Sequence, residues 1–245
     1  MKTQKIRFKD VSLFMPAYNC DEIVEKSVSR TYKLLKNISD TFELVVVNDN
    51  STDKTLERLL RLKKRYPYLK VINMKNGPSR RENVAKAMKK ARYDTILFQD
   101  IDLSVDLKYI PIMINKIKSK EYDIAIGSRY NGVECKRKWN RYIISRAYNF
   151  FLRIYFKSDV NDHQCGFKSF KKEVLLKLID ELGYDKTFKR GWFWDAELLI
   201  RAQKRGFKIC ELPVEWRNRD LSTFNLRREL KMIPCVLTLK LKEEL

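Results

Sequence analysis

The chain has 245 residues, with 52 Lys and Arg against 31 Asp and Glu, and a formal net charge of +21. This length suits one α/β domain with a single substantial core. No apolar run approaches the ~20 residues that a spanning helix needs, and residues 1–10 are charged, so neither a membrane span nor a signal peptide is expected. The charge predicts an anionic partner, which could be a nucleic acid, a membrane surface or a phosphorylated substrate.

The cysteines and the histidine limit the chemistry further. The five cysteines show no CxxC spacing, so we expect reduced packing thiols and a cytoplasmic protein. His163 is the only histidine, which excludes a multi-histidine metal site. Carboxylates must therefore carry any metal chemistry.

Strands and helices alternate in the first half of the chain. Short apolar or β-branched runs predict strands at 11–16, 42–47, 69–74, 95–99 and 122–126. Helical spacing predicts helices at 21–37, 56–62, 80–92 and 107–117. This alternation predicts an α/β fold with a doubly wound, mostly parallel sheet, in which ligands bind beyond the carboxyl ends of the strands.

The fourth predicted strand runs directly into two carboxylates, Asp100 and Asp102. Residues two apart point to the same side of an extended chain, so both could bind one Mg²⁺ or Mn²⁺. The alternative is a pair of solvated loop acids. Pro16, Asp49 and Arg129 end other predicted strands at the same edge, which favours one shared site, although each could also be an ordinary turn or surface residue.

The second half is less regular. We predict an aromatic, basic helix at 139–156, a turn-like segment at 162–168, helices at 171–182 and 192–204, and a strand at 207–214. A buried Asp195 or Glu197 would be costly unless paired or functional. Residues 221–245 predict a basic amphipathic helix, broken near Pro234, that lies on anionic lipid. The alternative is a terminal helix that packs on its own domain.

Six short motifs occur in an order that matches a known family. Together they resemble the inverting family 2 glycosyltransferases of GT-A fold, and within them the polyprenyl-phosphate glycosyltransferases, such as dolichyl-phosphate glucose and dolichyl-phosphate mannose synthases. The motifs are those at 16–19, 47–53, 100–102, 127–130, 162–168 and 194–199.

The resemblance implies a role for each matching position. Asp100 and Asp102 would hold Mg²⁺ or Mn²⁺ on the diphosphate of a UDP- or GDP-hexose, and with Asp162 they would form the reaction centre. Arg129 and Arg141 would bind the phosphate of the acceptor. The site also needs cations around two phosphorylated substrates, which gives a role to Arg80 and Arg81 and, at the acceptor phosphate, to Lys168. The positions expected to bind the nucleotide sugar are Pro16, Ala17, Tyr18, Asn19, Asp49, Arg80 and Asp100.

The implied activity is inverting transfer of a hexose to a polyprenyl (dolichyl-type) phosphate. Residues 1–220 would carry the catalytic domain, and 221–245 would contact the cytoplasmic face of an anionic membrane. Cys20 and Asn48, where the family usually has Glu and Asp, leave the nucleotide base open. Ser104 replaces the Gln of mannose synthases, which disfavours mannose.

Three other functions fit parts of the sequence. A family 2 transferase acting on a polysaccharide or protein acceptor would not need the basic tail. A nucleic-acid-binding protein would use the charge and the aromatic-basic helix, but the carboxylate pair would repel a phosphate backbone, so no nucleic acid is expected as a partner. The last alternative is a degenerate regulatory subunit.

Overall fold

The structure is a computed structural model, and it describes residues 7–79, 81–130, 135–136, 139–217 and 230–244. The strands, in chain order, are β1 Val11–Ala17, β2 Phe42–Asp49, β3 Leu69–Met74, β4 Thr95–Gln99, β5 Ile124–Ser128, β6 Cys135–Lys136, β7 Phe167–Lys171, β8 Ile209–Pro213 and β9 Trp216–Arg217. Seven of them form the central sheet in the order β3-β2-β1-β4-β7-β5-β8, and β6 pairs with β9 alone.

Helices cover both faces of this sheet. They are α1 Asp21–Ile38, α2 Thr55–Arg65, α3 Glu82–Met88, α4 Ile110–Lys118, α5 Trp139–Phe156, α6 Lys172–Leu182, α7 Phe193–Lys204 and α8 Ile233–Glu244. On one face of the sheet, α1, α2 and α4 contribute buried apolar side chains to the core. On the other face, α3, α6 and α7 do so. A third cluster joins α5, α7 and α8 through residues that include Leu152, Phe193 and Val236.

The predicted α/β class and the doubly wound, mostly parallel sheet are confirmed. One prediction for the second half of the chain was wrong. Residues 162–168 were predicted to form a turn before a helix, but strand β7 begins at Phe167 and lies antiparallel between β4 and β5. This strand has only five residues, two of which are lysines. Its partner β4 is distant in the sequence, and Thr95 of β4 lies opposite Lys171. Local periodicity cannot reveal such a pairing.

The described part of the C-terminal segment agrees with a break near Pro234. A 3-10 turn at Leu230–Met232 precedes α8, which begins at Ile233, so that Pro234 lies in the first turn, where its missing N–H costs no helical hydrogen bond. In α8, Val236 and Leu239 are buried in the third cluster, whereas Ile233 and Leu237 are exposed. Residues 221–229 of the predicted interfacial segment lie outside the described residues. Within the described part of the chain, no helix is both long and apolar enough to cross a membrane.

The order of the strands locates a crevice. From β1 the chain moves outward through β2 and β3, then returns to form β4 on the other side of β1. The strand order therefore reverses between β1 and β4, and loops diverge there at the carboxyl ends of the strands. Asp100 follows β4 at this edge, which is where the candidate site is built.

Candidate functional site

Asp100 and Asp102 lie at the carboxyl end of β4, each with its own partners. Asp100 Oδ1 is 3.4 Å from Arg81 Nη1, and its side chain is 38% exposed, which leaves it accessible from the crevice. The Asp102 carboxylate accepts hydrogen bonds from the backbone N–H (2.9 Å) and the hydroxyl (2.6 Å) of Ser104. The structure thus fixes two oxygen-rich groups at the end of one central strand.

The pKa of Asp100 is raised although part of its side chain is exposed. The protein that surrounds the rest of the carboxyl removes it from water, and with the nearby carboxylates of Asp102 and Asp195 this raises the pKa of Asp100 to about 6, although Arg81 opposes the shift. Among the described residues, no group of three or more His, Cys, Asp or Glu side chains is arranged to hold a metal ion. Mg²⁺ and Mn²⁺ are often bound by one or two carboxylates and completed by phosphates and water. The two acids fit that kind of site, in which a substrate supplies the remaining ligands.

Gly166 provides the space that the Asp100 side chain occupies. A Cβ added to Gly166 would lie 1.7 Å from Asp100 Oδ2, far inside any real contact distance. The backbone N–H of Asp100 also donates to the carbonyl of Gly166, at 3.0 Å. The segment before β7 therefore determines where the Asp100 carboxylate lies.

We expect Gly166→Ala to weaken Mn²⁺ binding by roughly 10–100-fold, the usual cost of disturbing a group that supports a metal ligand. Calorimetric titration with Mn²⁺ and UDP would measure it. Gly206→Ala is the matched control, because Gly206 has a φ of +74° and nothing within 4 Å of its missing Cβ. That control should lose about 1 kcal/mol of stability and keep its Mn²⁺ affinity. Equal Mn²⁺ affinities in Gly166→Ala and the unmodified chain would contradict the assignment of Asp100.

Behind Asp100 lies a buried charge cluster, which consists of Arg81, Lys168 and Asp195. Asp195 is 3% exposed, and its two oxygens accept hydrogen bonds from Arg81 Nε at 2.7 Å and Lys168 Nζ at 2.8 Å. Burial alone would raise the pKa of Asp195, but the two cations outweigh it and lower that pKa. The Arg81 guanidinium also lies 4.4 Å from the centre of the Phe98 ring. Asp195 is therefore ionised and paired, as the cost of burying it requires.

The cluster changes the assignment of Lys168. We predicted that Lys168 binds the acceptor phosphate, but it is 2% exposed, and its ammonium donates to Asp195 and to the carbonyl of Cys165. The reason is strand β7, which the sequence did not reveal and which directs Lys168 inward. In this structure Lys168 is a counter-ion of Asp195. Arg80 lies outside the described residues, and its neighbour Arg81 is the arginine that reaches Asp100.

A second buried ion pair, between Arg129 and Asp162, lies at the end of β5. Arg129 Nε and Nη2 donate to the two Asp162 oxygens, both at 2.6 Å, and the Arg129 backbone N–H donates at 3.0 Å. Burial disfavours the Asp162 charge, but Arg129 outweighs burial and lowers the pKa of Asp162. Both residues were expected to face substrates, and here they face each other. The geometry suits Asp162 to orienting Arg129, and the contacts of either with a substrate stay predictions.

Polar contacts connect this ion pair to α5. The hydroxyl of Tyr130 bonds to Ser145 and accepts from Asn149, both on α5. His163, next to Asp162, contacts Asn149 Oδ1 through Nδ1 at 2.9 Å. Burial lowers the pKa of His163 to about 4, so the imidazole is neutral near pH 7. The same helix carries the half-buried Arg141 in its first turn.

Five of the seven positions predicted to bind the nucleotide sugar lie at the ends of β1 and β2, namely Pro16, Ala17, Tyr18, Asn19 and Asp49. Pro16 and Ala17 end β1, and Tyr18, 38% exposed, follows them. Asn19 joins the two loops, because its Oδ1 accepts from the backbone N–H of Thr52 at 2.8 Å. These placements are compatible with a nucleotide pocket, and the contacts themselves stay predictions.

Asp49 is buried and makes a different set of contacts. Its carboxylate accepts hydrogen bonds from the backbone N–H of Ser79 (2.8 Å) and from Asn83 Nδ2 (2.6 Å). It therefore fixes the segment that leads into α3, and with it the start of the helix next to Arg81. Its predicted contact with a nucleotide stays a prediction.

The contact between Arg81 and Asp195 was not predicted from the sequence. The two residues are 114 positions apart, and only the tertiary fold brings them together. Asp195 was singled out as an acid whose burial would require a partner, and Arg81 as one of several cations for phosphorylated substrates. Nothing in the sequence indicated that they pair with each other.

The chain is similar in sequence to known glycosyltransferases. A family model described as "Glycosyl transferase family 2" matches residues 12–179. The chain is 34% identical over 224 residues to "Glycosyltransferase AglD" of Haloferax volcanii. The aligned part covers 90% of this chain and 35% of that protein. It is 30% identical over 231 residues to "Dolichyl-phosphate beta-glucosyltransferase ALG5A" of Trichomonas vaginalis, which covers 91% of this chain and 70% of the relative. The chain thus spans about a third of the first relative and about two thirds of the second.

Solved structures with the same fold include glucosyl-3-phosphoglycerate synthase from Mycobacterium tuberculosis. Its complex with Mn²⁺, UDP and phosphoglyceric acid superposes with a TM-score of 0.65 at 18% identity, over 94% of this chain and 78% of that one. Its complex with UDP alone gives 0.66 at 17% identity, over 95% and 79%. The likeness confirms the predicted GT-A fold.

Proposed function

Because the chain belongs to glycosyltransferase family 2, we propose that it moves a hexose from a nucleotide sugar to a polyprenyl phosphate with inversion at the anomeric carbon. One observation carries the proposal. The Asp100–Asp102 pair and the Arg129–Asp162 pair lie at one sheet edge. Tyr130 and His163, the residues next to the second pair, are hydrogen-bonded to α5, which carries exposed apolar side chains. A diphosphate site, an anion site and an apolar surface are what this pair of substrates requires.

The proposed chemistry assigns a task to each group. Bound Mg²⁺ or Mn²⁺ would supply positive charge to the departing diphosphate. Asp100 and Asp102 would hold that ion, and Arg129 and Arg141 would bind the acceptor phosphate. A phosphate monoester has a second pKa of about 6, so the acceptor is largely dianionic at neutral pH and needs no strong base. Asp162 would keep Arg129 oriented and would not remove a proton.

For the donor, a UDP-hexose is the first candidate and a GDP-hexose the second. The relative from Trichomonas vaginalis is named a glucosyltransferase, and the solved neighbour holds UDP. The resemblance adds that residue 104 is Gln in mannose synthases, whereas here it is Ser104, which disfavours mannose as the sugar.

A panel of donors and acceptors tests the proposal. The full chain would be incubated with UDP- and GDP-hexoses, Mn²⁺, and either a polyprenyl phosphate, a polysaccharide or an unmodified protein. We expect rapid transfer to the polyprenyl phosphate alone. Transfer to the polysaccharide or the protein alone would replace the proposed acceptor with that class, and nucleic-acid binding without any transfer would refute the enzymatic proposal.

We expect Arg141→Gln to raise the apparent KM for the polyprenyl phosphate by ~10-fold or more, since a charge-assisted bond to a phosphate is worth about 1.5–3 kcal/mol. The KM for the nucleotide sugar should change less than threefold. Steady-state kinetics with each substrate varied in turn would measure both. Arg30→Gln, an exposed arginine on α1 and outside the two proposed membrane helices, is the control and should change neither KM. Equal increases in both KM values would remove Arg141 from the acceptor site.

We propose that α5 and α8 together contact the cytoplasmic face of an anionic membrane. The 18 residues of α5 include three arginines and no Asp or Glu, which suits a negatively charged surface. Both helices share the third core cluster, and both carry large apolar side chains that are exposed. These are Trp139, Ile143, Ile144, Phe150, Phe151 and Ile154 in α5, and Ile233, Leu237 and Leu241 in α8.

The membrane proposal predicts that Phe150→Asp combined with Ile154→Asp weakens binding to phosphatidylglycerol vesicles by ~10-fold or more, since both apolar side chains would leave the acyl boundary. Vesicle sedimentation would measure this, and binding of the unmodified chain should weaken as salt rises. The control, Leu60→Asp with Ile112→Asp, changes two exposed apolar residues on other helices. These substitutions change only exposed side chains, whereas a truncation after Asp220 would also remove Val236 and Leu239 from the third core cluster. Equal losses in both double variants would contradict a specific membrane face.

A further inference from the structure

Arg81 contacts two carboxylates that belong to different parts of the site. Its Nε donates to Asp195 at 2.7 Å, and its Nη1 lies 3.4 Å from Asp100 Oδ1. The first contact is shorter and more buried, because Asp195 is 3% exposed, while the Asp100 side chain is 38% exposed. Arg81 is therefore anchored on Asp195 and reaches toward Asp100 with its free end.

The packing around Arg81 supports this distinction. The guanidinium lies over the Phe98 ring at 4.4 Å, and Asp49 fixes the segment before Arg81 through Ser79. Lys168 neutralises the other oxygen of Asp195 at 2.8 Å. The charge of Asp195 is thus shared by two cations, so that part of the Arg81 charge is available to Asp100.

We propose that Arg81 is the resident counter-ion of Asp100 in the unliganded protein and that it competes with the divalent cation for this carboxylate. The inference rests on the proposed function, because it takes Asp100 and Asp102 as the cation ligands. Because of this competition, the free protein would bind the cation weakly. Strong binding of the cation would require the negatively charged diphosphate of the donor.

The physical reason is the sign of the charges. A cation bound to Asp100 Oδ1 would lie within a few ångströms of the Arg81 guanidinium, and two positive groups at that distance repel each other. A diphosphate placed between them would turn the repulsion into two attractive contacts. In the proposed donor-bound state, Arg81 would turn toward the diphosphate and keep its bond to Asp195. Cation and donor would therefore bind with positive coupling, and Arg81 would be the positioning residue that produces it.

The test measures Mn²⁺ binding and needs no turnover. The dissociation constant of Mn²⁺ would be determined by paramagnetic resonance for the full chain and for Arg81→Met, which keeps a long apolar side chain over Phe98. Without nucleotide we expect Arg81→Met to bind Mn²⁺ about tenfold more tightly, the size expected for removal of one like-charged neighbour near a partly exposed site. With saturating UDP or GDP, the difference should fall below about threefold.

Two further variants complete the test. Arg81→Lys retains a cation beside Asp195 but lacks the guanidinium nitrogen that reaches Asp100, so its increase in Mn²⁺ affinity should be smaller. This variant replaces Arg81→Met in the test if Arg81→Met does not fold. Arg201→Met, which removes an arginine paired with Glu197 on the same helix as Asp195, should leave Mn²⁺ binding unchanged.

The outcomes separate this inference from the proposed function. Mn²⁺ binding that is lost in Asp100→Asn but not strengthened in Arg81→Met or Arg81→Lys would overturn the inference alone. A difference that persists with saturating nucleotide would overturn the coupling. If the unmodified chain binds no Mn²⁺ with UDP or GDP, both the cation site and this inference fail.

Discussion

Replacing Asp102 with asparagine is expected to lower kcat/KM for sugar transfer by roughly 10²–10³-fold, the usual cost of removing one group that stabilises developing charge. Asparagine keeps the size of the side chain and can still accept from Ser104, whose N–H lies 2.9 Å from Asp102. It removes the negative charge from one of the two carboxylates available for a cation. Initial rates with a nucleotide hexose and a polyprenyl phosphate, with and without EDTA, would measure the effect.

Asp106→Asn is the matched control for this substitution. Asp106 is also an acid after β4, and its carboxylate accepts from the backbone N–H of Lys108 at 2.9 Å. Because asparagine can make the same bond and Asp106 has no place in the proposed cation site, its activity should stay near that of the unmodified chain. Full activity of Asp102→Asn, or of the unmodified chain in EDTA, would remove Asp102 and the cation from the mechanism.

The second large effect concerns stability. We expect Asp195→Asn to lower the free energy of unfolding by about 3–5 kcal/mol, because it leaves Arg81 and Lys168 buried without their shared counter-ion. For a chain of this size that corresponds to a fall in Tm of roughly 10 °C. Thermal and urea unfolding followed by circular dichroism would measure both quantities.

The control for Asp195→Asn is Asp180→Asn. Asp180 also pairs with a lysine, Lys89, but its side chain is 67% exposed and that of Lys89 is 45% exposed. Exposed pairs of this kind contribute at most about 1 kcal/mol, so the control should hardly change the unfolding curve. An equally small effect for Asp195→Asn would show that the buried charge cluster does not stabilise the fold.

The sheet edge was predictable because local patterns determine it. The strands that end at Ala17, Asp49, Gln99 and Ser128 each show an apolar or β-branched run, and helices with clear spacing separate them. Once the alternation is recognised, the carboxyl ends must share one edge. The placement of Asp100 and Asp102 followed from that argument alone.

The interior of the site was not predictable in the same way. Strand β7 is recognisable only when its partners β4 and β5 are in place, and its inward direction decides that Lys168 is a counter-ion. The Arg81–Asp195 contact joins two distant segments and likewise depends on the tertiary fold. The Arg129–Asp162 pair shows a further limit, since both residues were named but their bond to each other was not.

The central claim is that the chain forms a glycosyl phosphodiester on a lipid by inversion. The most direct measurement is the mass and the anomeric coupling constant of the lipid product made from an α-linked nucleotide hexose, Mn²⁺ and a short polyprenyl phosphate. We expect a product heavier than the acceptor by one hexosyl group, with a β linkage, that Asp102→Asn does not form. An α-linked product, or free sugar and nucleotide with no hexosyl lipid, would contradict it.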